Sequence, residues 1–151
     1  MGANMADKKG TIWVLNGPNL NLLGFREPDI YGHETLDDIA AMLMDRAAEM
    51  DLTIEMRQSN HEGHLIDWLH EAQGAGAKAV LLNAAAYTHT SIAIYDAILA
   101  ITTPVIEVHL SNPEKREDFR STSWVGKAAV ANISGLGAQS YMTALEAAAK
   151  L

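Results

Sequence analysis

The sequence predicts a single α/β domain built on a mostly parallel sheet of five strands. Short β-branched or apolar runs alternate along the chain with segments whose apolar residues recur at helical spacing. Strands alternating with helices imply right-handed crossovers, and so a sheet covered on both faces. At 151 residues the chain is long enough for one buried core, and no repeat, low-complexity stretch or linker interrupts the pattern.

Residues 1–10 are polar and predict a disordered arm, leaving residues 11–151 as the single domain. Residues 11–15, Thr-Ile-Trp-Val-Leu, read as a buried first strand. Residues 16–34 are a long loop rich in Asn, Gly and Pro, and loops of this length in compact domains are usually functional. Thr35 stands as an N-cap with Asp38 three residues on, and Leu36, Ile39, Ala40, Leu43 and Ala47 then give one apolar helical face. Residues 52–58 form the second strand, followed by a helix over 61–73 that carries Leu65, Ile66 and Leu69. Residues 79–83 are an apolar third strand. Ser91 occupies a cap position for a helix over 91–101, with Pro104 beyond its end. Residues 105–110 and 128–134 are the last two strands, and 138–150 the last helix. Five such strands suggest the flavodoxin-like doubly wound order 2-1-3-4-5. Ligands in such sheets bind at the carboxyl ends of the strands, near the switch between strands 1 and 3. The chemically useful residues should therefore follow strands 1, 3 and 4.

Composition narrows the partners. Hydrophobic residues make up 48% and charged residues 20%, as in ordinary globular domains. The net charge of -8, with no block of Lys or Arg, argues against nucleic acid or an anionic membrane surface. A small anionic substrate needs only a few local cations and stays open. The absence of cysteine excludes disulfides, a thiolate nucleophile and Cys-ligated zinc. The polar start is unlike a signal peptide, and no apolar run approaches a membrane span, so a soluble cytoplasmic protein is expected.

Three segments after the strands carry candidate chemistry. The first runs Asn16-Gly17-Pro18-Asn19 through Arg26-Glu27-Pro28 to Tyr31-Gly32. The second is Asn83-Ala84-Ala85-Ala86-Tyr87-Thr88-His89-Thr90-Ser91. The third is Glu107-Val108-His109-Leu110-Ser111-Asn112, with Arg116 and Arg120 following. On a strand Glu107 and His109 point to one face, so the carboxylate could fix the imidazole tautomer. An ion pair on an edge strand is the other reading of those two residues.

Together these segments resemble the type II dehydroquinase family, over nearly all of the chain from Thr11 to Leu151. Gln58-Ser59-Asn60-His61-Glu62-Gly63 and Ser134-Gly135-Leu136-Gly137 look like further family segments. The resemblance implies a cofactor-free, metal-free hydro-lyase that converts 3-dehydroquinate to 3-dehydroshikimate, in aromatic biosynthesis or quinate breakdown. It casts Tyr31 as the base that removes a proton beside the ketone. A free tyrosine, near pKa ~10, is mostly protonated at neutral pH; a nearby Arg26 would favour its phenolate. Asn19 would stabilise the developing enolate, and His109 would act as general acid on the departing hydroxyl, oriented by Glu107. Asn83 and His89 would bind substrate hydroxyls, Leu110 and Ser111 the carboxylate through backbone N–H groups, and Arg120 would clamp the ring. Arg116 would either join that clamp or support the loop. Asp96, inside the helix after strand 3, would reach a neighbouring subunit's site in a dodecamer built from trimers. The resemblance also has departures: Ala85 stands where glycine is common, Phe25 where a small polar residue is usual, and the stretches 113–115 and 121–124 are atypical. A mobile lid is expected over residues 23–31.

Other readings fit less of the sequence. His61-x-x-His64 could start a zinc site but has no third ligand anchored nearby. Gly135-x-Gly137-x-x-Ser140 is a partial dinucleotide fingerprint, yet it follows the last strand and reads better as a tight turn. A signalling receiver domain would place acidic residues where Asn16 and Asn83 stand. No lysine lies in the three segments, which argues against a Schiff-base route.

Overall fold

A computed structural model describes residues 10–151. Of the arm expected over residues 1–10, all but Gly10 lie outside the described residues; Gly10 itself opens the first strand. Five strands, β1 (Gly10–Asn16), β2 (Leu52–Gln58), β3 (Ala79–Asn83), β4 (Val105–His109) and β5 (Ala131–Ser134), pair in parallel in the order β2-β1-β3-β4-β5. This is the doubly wound, flavodoxin-like order that the sequence predicts.

Helices cover both faces: α1 (Pro28–Tyr31), α2 (Leu36–Glu49), α3 (Glu62–Gly74), α4 (Ile92–Ala100), α5 (Trp124–Ala128) and α6 (Gln139–Ala148). On β1, Ile12 and Val14 enter one core with Ile39 and Leu43 of α2 and Tyr141 and Leu145 of α6. Trp13 and Leu15 enter the other with Leu65 and Leu69 of α3, Ile94 and Ile98 of α4 and Val125 of α5. Burial on both sides is why the central strands read as unbroken apolar runs. Each such Leu, Ile or Val withdrawn from water stabilises the fold by roughly 1.5–3 kcal/mol before entropy is counted. No helix among the described residues is long and apolar enough to cross a membrane.

The caps behave as their sequences suggest. Thr35 Oγ1 accepts the Asp38 N–H at 3.1 Å while Asp38 accepts the Thr35 N–H at 3.0 Å, a reciprocal capping box. Ser91 Oγ accepts the Ile94 N–H at 2.9 Å and starts α4.

Several details differ from expectation. The last strand starts at Ala131 rather than residue 128, because Trp124–Ala128 form α5. Ser123 caps that helix by accepting the Gly126 N–H at 2.8 Å, and Val125 is buried beneath it. β4 ends at His109, and the Leu110 carbonyl turns away to accept the Gly137 N–H at 3.0 Å. The long loop over 16–34 is not structureless. A 3-10 turn over Leu20–Leu22 buries Leu20, and Leu23 follows it into the core. Pro28 then opens α1, its missing N–H costing nothing at a first helical position.

Candidate active site

The carboxyl ends of β1, β3 and β4 open onto one cavity. Asn19, Arg26, Tyr31, Asn83, His89, His109, Leu110, Ser111 and Arg120, all singled out in the sequence, line it. Glu107 stands behind His109, and Asp96 lies elsewhere.

β4 supplies the acid–base pair. It is an interior strand, flanked by β3 and β5, so the edge-strand reading of Glu107 and His109 is overturned. Glu107 Oε2 lies 2.7 Å from His109 Nε2, and Glu107 is only 1% exposed. Burial pushes the Glu107 carboxyl up. The hydrogen bond and charge of His109, with hydrogen bonds from Ser123 and Asn132, outweigh it and hold the carboxyl below its ordinary range. An ionised Glu107 can only accept, so His109 Nε2 carries a proton. The Ser123 hydroxyl donates to Glu107 Oε2 at 2.5 Å and the Asn132 amide donates to Oε1. Gly126 makes room for this cluster: a Cβ there would stand 2.7 Å from Glu107 Oε1.

The turn after β3 brings in His89. Its Nδ1 is 2.8 Å from the Thr122 carbonyl and therefore donates, which leaves Nε2 as an acceptor on the neutral ring. Burial, and the nearby charges of His109 and Arg120, hold His89 below the usual histidine range despite the Thr122 bond. Asn83 ends β3, 3% exposed. Its amide donates to the Tyr141 hydroxyl at 2.9 Å and its oxygen accepts the Ala85 N–H at 3.2 Å. One N–H and one lone pair stay available toward the cavity.

The loop after β1 and the short helix α1 deliver the phenol. Arg26 and Arg116 hold their guanidinium carbons 4.9 and 5.2 Å from the centre of the Tyr31 ring. Arg116, left open between clamp and loop support, thus lines the cavity against Tyr31. Asn19 adopts a left-handed φ of 70°, which asparagine tolerates, and its N–H donates to Asn60 Oδ1 at 2.9 Å. Arg120 is braced by Glu117, with Nε donating to Oε1 at 3.0 Å. Leu110 and Ser111 line the cavity, and their N–H groups donate to no group among the described residues.

Asp96 is exposed on the outer face of α4, between the exposed Ile92 and Leu99, and takes no part in this chain's own cavity. Ala85 has a φ of 52°, a left-handed conformation natural to the glycine expected there and strained for alanine. Phe25, next to Arg26 in the chain, is 82% exposed. His61 and His64 pack edge to face at 4.7 Å, and His64 Nδ1 bonds the Ser59 hydroxyl. Gly135 and Gly137, with φ of 87° and 62°, form the tight turn into α6.

Sequence reasoning missed Tyr141, Ser123 and Asn132. Tyr141 is fully buried in α6, where its apolar neighbours give it the look of a core residue. Asn132 and Ser134 alternate with Ala131 and Ile133 along the edge strand β5, a polar face that could have signalled them.

A phenol flanked by two cations and an imidazole backed by an ionised carboxylate can together remove one proton and deliver another. Two adjacent N–H donors beside them suit a carboxylate. The sequence model of the family described as dehydroquinase class II matches residues 10–149. The 3-dehydroquinate dehydratase of Rhizobium meliloti is 58% identical over 137 residues, covering 91% of this chain and 92% of that protein. The 3-dehydroquinate dehydratase of Phenylobacterium zucineum is 56% identical over 140 residues, covering 93% and 96%. The crystal structure of type II dehydroquinase from Propionibacterium acnes superposes with a TM-score of 0.91 at 43% identity, over 95% of this chain and 99% of that one.

Proposed function

The chain belongs to the dehydroquinase class II family, and from that membership we propose that it dehydrates 3-dehydroquinate to 3-dehydroshikimate, by acid–base elimination without a cofactor. The observation that carries the mechanism is that Tyr31, flanked by Arg26 and Arg116, and His109, backed by Glu107, open onto one cavity.

Tyr31, as phenolate, takes the proton beside the ketone, and the C–H electrons move toward the carbonyl oxygen to give an enolate. The guanidinium groups of Arg26 and Arg116 set positive charge beside the ring, 4.9 and 5.2 Å from its centre. Asn19 stabilises the enolate through a bound water. The C–O bond of the β-hydroxyl then breaks with its electron pair on oxygen, His109 delivers a proton to it, and water leaves as the conjugated enone forms. Glu107 stabilises the imidazolium before transfer. The Leu110 and Ser111 N–H groups hold the substrate carboxylate, Asn83 and His89 its hydroxyls, and Arg120 closes over the ring. The segment over 23–31, which carries both Arg26 and Tyr31, closes as a lid.

The assembly belongs to the same proposal: a cytoplasmic dodecamer of trimers in which Asp96 of one subunit completes the cavity of another. An exposed carboxylate on a helix whose outer face also shows Ile92 and Leu99 supports a subunit contact there. The reaction serves the shikimate pathway or quinate breakdown.

Enone formation from 3-dehydroquinate, followed by ultraviolet absorbance, tests the reading. Turnover should fall by roughly 10²-fold or more in both Tyr31→Phe and His109→Ala. A folded wild type that forms no enone would sink it. Sedimentation of wild type and Asp96→Ala, with KM for each, tests the shared site: Asp96→Ala should raise KM in an intact dodecamer.

A further inference from the structure

Strands β4 and β5 run in a register that sets Glu107 beside Asn132 and His109 beside Ser134. Residues two apart on a strand face the same side, so these four polar side chains form one patch. Their hydrogen bonds converge on Glu107 from two sides. The Ser134 hydroxyl donates to Asn132 Oδ1 at 2.6 Å, and the Asn132 amide donates to Glu107 Oε1. His109 Nε2–H donates to Glu107 Oε2 at 2.7 Å. Because Ser134 occupies Oδ1, Asn132 can present only its N–H side to Glu107. An amide N–H requires an acceptor, so this contact excludes a proton on Oε1, and as a charge-assisted bond it favours the ionised carboxylate over the acid.

We infer that Asn132, oriented by Ser134, is a positioning residue for His109: it fixes the Glu107 carboxylate as an acceptor, which holds the imidazole proton on Nε2 and makes Nδ1 the nitrogen that delivers the proton. This deepens the dehydratase reading and rests on it for its catalytic part. The chemistry depends on which proton Glu107 lacks. With Glu107 ionised, His109 can be an imidazolium that gives up its Nδ1 proton to the departing hydroxyl and ends as the neutral Nε2–H form. With Glu107 protonated, the carboxyl would donate to Nε2, and the neutral ring could deliver its Nδ1 proton only if the Glu107 proton moved onto Nε2 in the same step. A preformed imidazolium gives up its Nδ1 proton without that second transfer. Ser123 also donates to Glu107, but it caps α5 as well, so Asn132 isolates the effect more cleanly.

Asn132→Val keeps a strand-forming side chain and removes the donor; Ser134→Ala leaves the donor and frees its orientation. Two measurements decide the matter: steady-state kinetics on 3-dehydroquinate, and nitrogen NMR of histidine-labelled protein, with the His109 signals assigned by their loss in His109→Asn. Wild type should show His109 as the neutral Nε2–H form at high pH. Asn132→Val should lower kcat about tenfold, a part of the 10²–10⁴ that a full general acid supplies. KM should stay within about twofold, as for an interaction felt in the transition state, and the NMR should show mixed tautomers. Ser134→Ala should move both readouts the same way by less, and stands alone if Asn132→Val does not fold. An unchanged kcat, or a His109 still held wholly in the Nε2–H form, in a folded variant overturns the inference. If the wild type does not turn over 3-dehydroquinate, the dehydratase reading fails, while the tautomer of His109 in wild type and variants still decides whether Asn132 positions it.

Discussion

The hydroxyl of Tyr141 donates to Asn16 Oδ1 at 2.7 Å, across 125 positions of sequence. The same oxygen accepts the Asn83 amide at 2.9 Å, so one buried phenol joins the ends of β1 and β3 at the switch point of the sheet. Burial pushes the Tyr141 phenol well above its ordinary range, against the hydrogen bond from Asn83, so it acts as a neutral bridge. Tyr141→Phe should leave two buried amides short of a partner and cost about 1–3 kcal/mol, read from urea unfolding. It should also raise KM, because Asn83 loses its anchor.

Two cations beside one phenol imply shared work. Arg26→Ala and Arg116→Ala should each lower kcat by roughly tenfold or more, as loss of a nearby charge in a partly desolvated site predicts. The double variant should lose more than either single. If Arg116→Ala matched wild type, its place over the Tyr31 ring would be incidental.

Acid should act on stability through Glu107 and His89. Both groups bind protons less readily in the fold than as free side chains, so the unfolded chain takes up more protons as pH falls. The His89 contribution is present above the free histidine value of 6.5 and is lost as pH falls through the lower folded value. That of Glu107 is present above 4.5 and is lost below it. Urea midpoints measured from pH 8 down to pH 4 should fall in wild type and fall less in His89→Gln between pH 7 and pH 5. A parallel decline in both proteins would remove His89 from the account.

Ala85 and Gly17 make opposite predictions about a single methyl group. Ala85→Gly should relieve a left-handed alanine that costs roughly 1–2 kcal/mol, partly offset by glycine's greater freedom when unfolded, for a net gain of up to about 1 kcal/mol. It should also lower KM, since the methyl lines the cavity. At Gly17 a Cβ would stand 2.5 Å from the Ala84 carbonyl oxygen. Gly17→Ala should therefore cost about 1–3 kcal/mol by overpacking and pull the Asn19 loop off the end of β3. Thermal unfolding of the two variants should move in opposite directions.

Much of this was legible because period and polarity agree along most of the chain. The apolar runs, the Thr35 and Ser91 caps and the polar residues after β1, β3 and β4 each have a local cause, and the parallel pairing of the strands follows from their alternation with helices. What escaped depends on contacts distant in sequence. Tyr141 has no local mark separating it from a core residue, since its partners lie at Asn16 and Asn83. Helix α5 is only one turn long, too short for periodicity to show, and its Ser123 cap serves Glu107 as well. The role of Arg116 stayed open because only the folded loop shows which ring it meets.

The alternation along β4 sets Ile106 and Val108 into one core while Glu107 and His109 face the opposite way. A strand has no half-steps, so one residue inserted between Val105 and His109 would swap polar for apolar on both sides at once. Lengthening a loop carries no such penalty. Changes of length are thus accommodated in the segments that follow the strands, while the reading frame of β4 is locked by the two cores it divides.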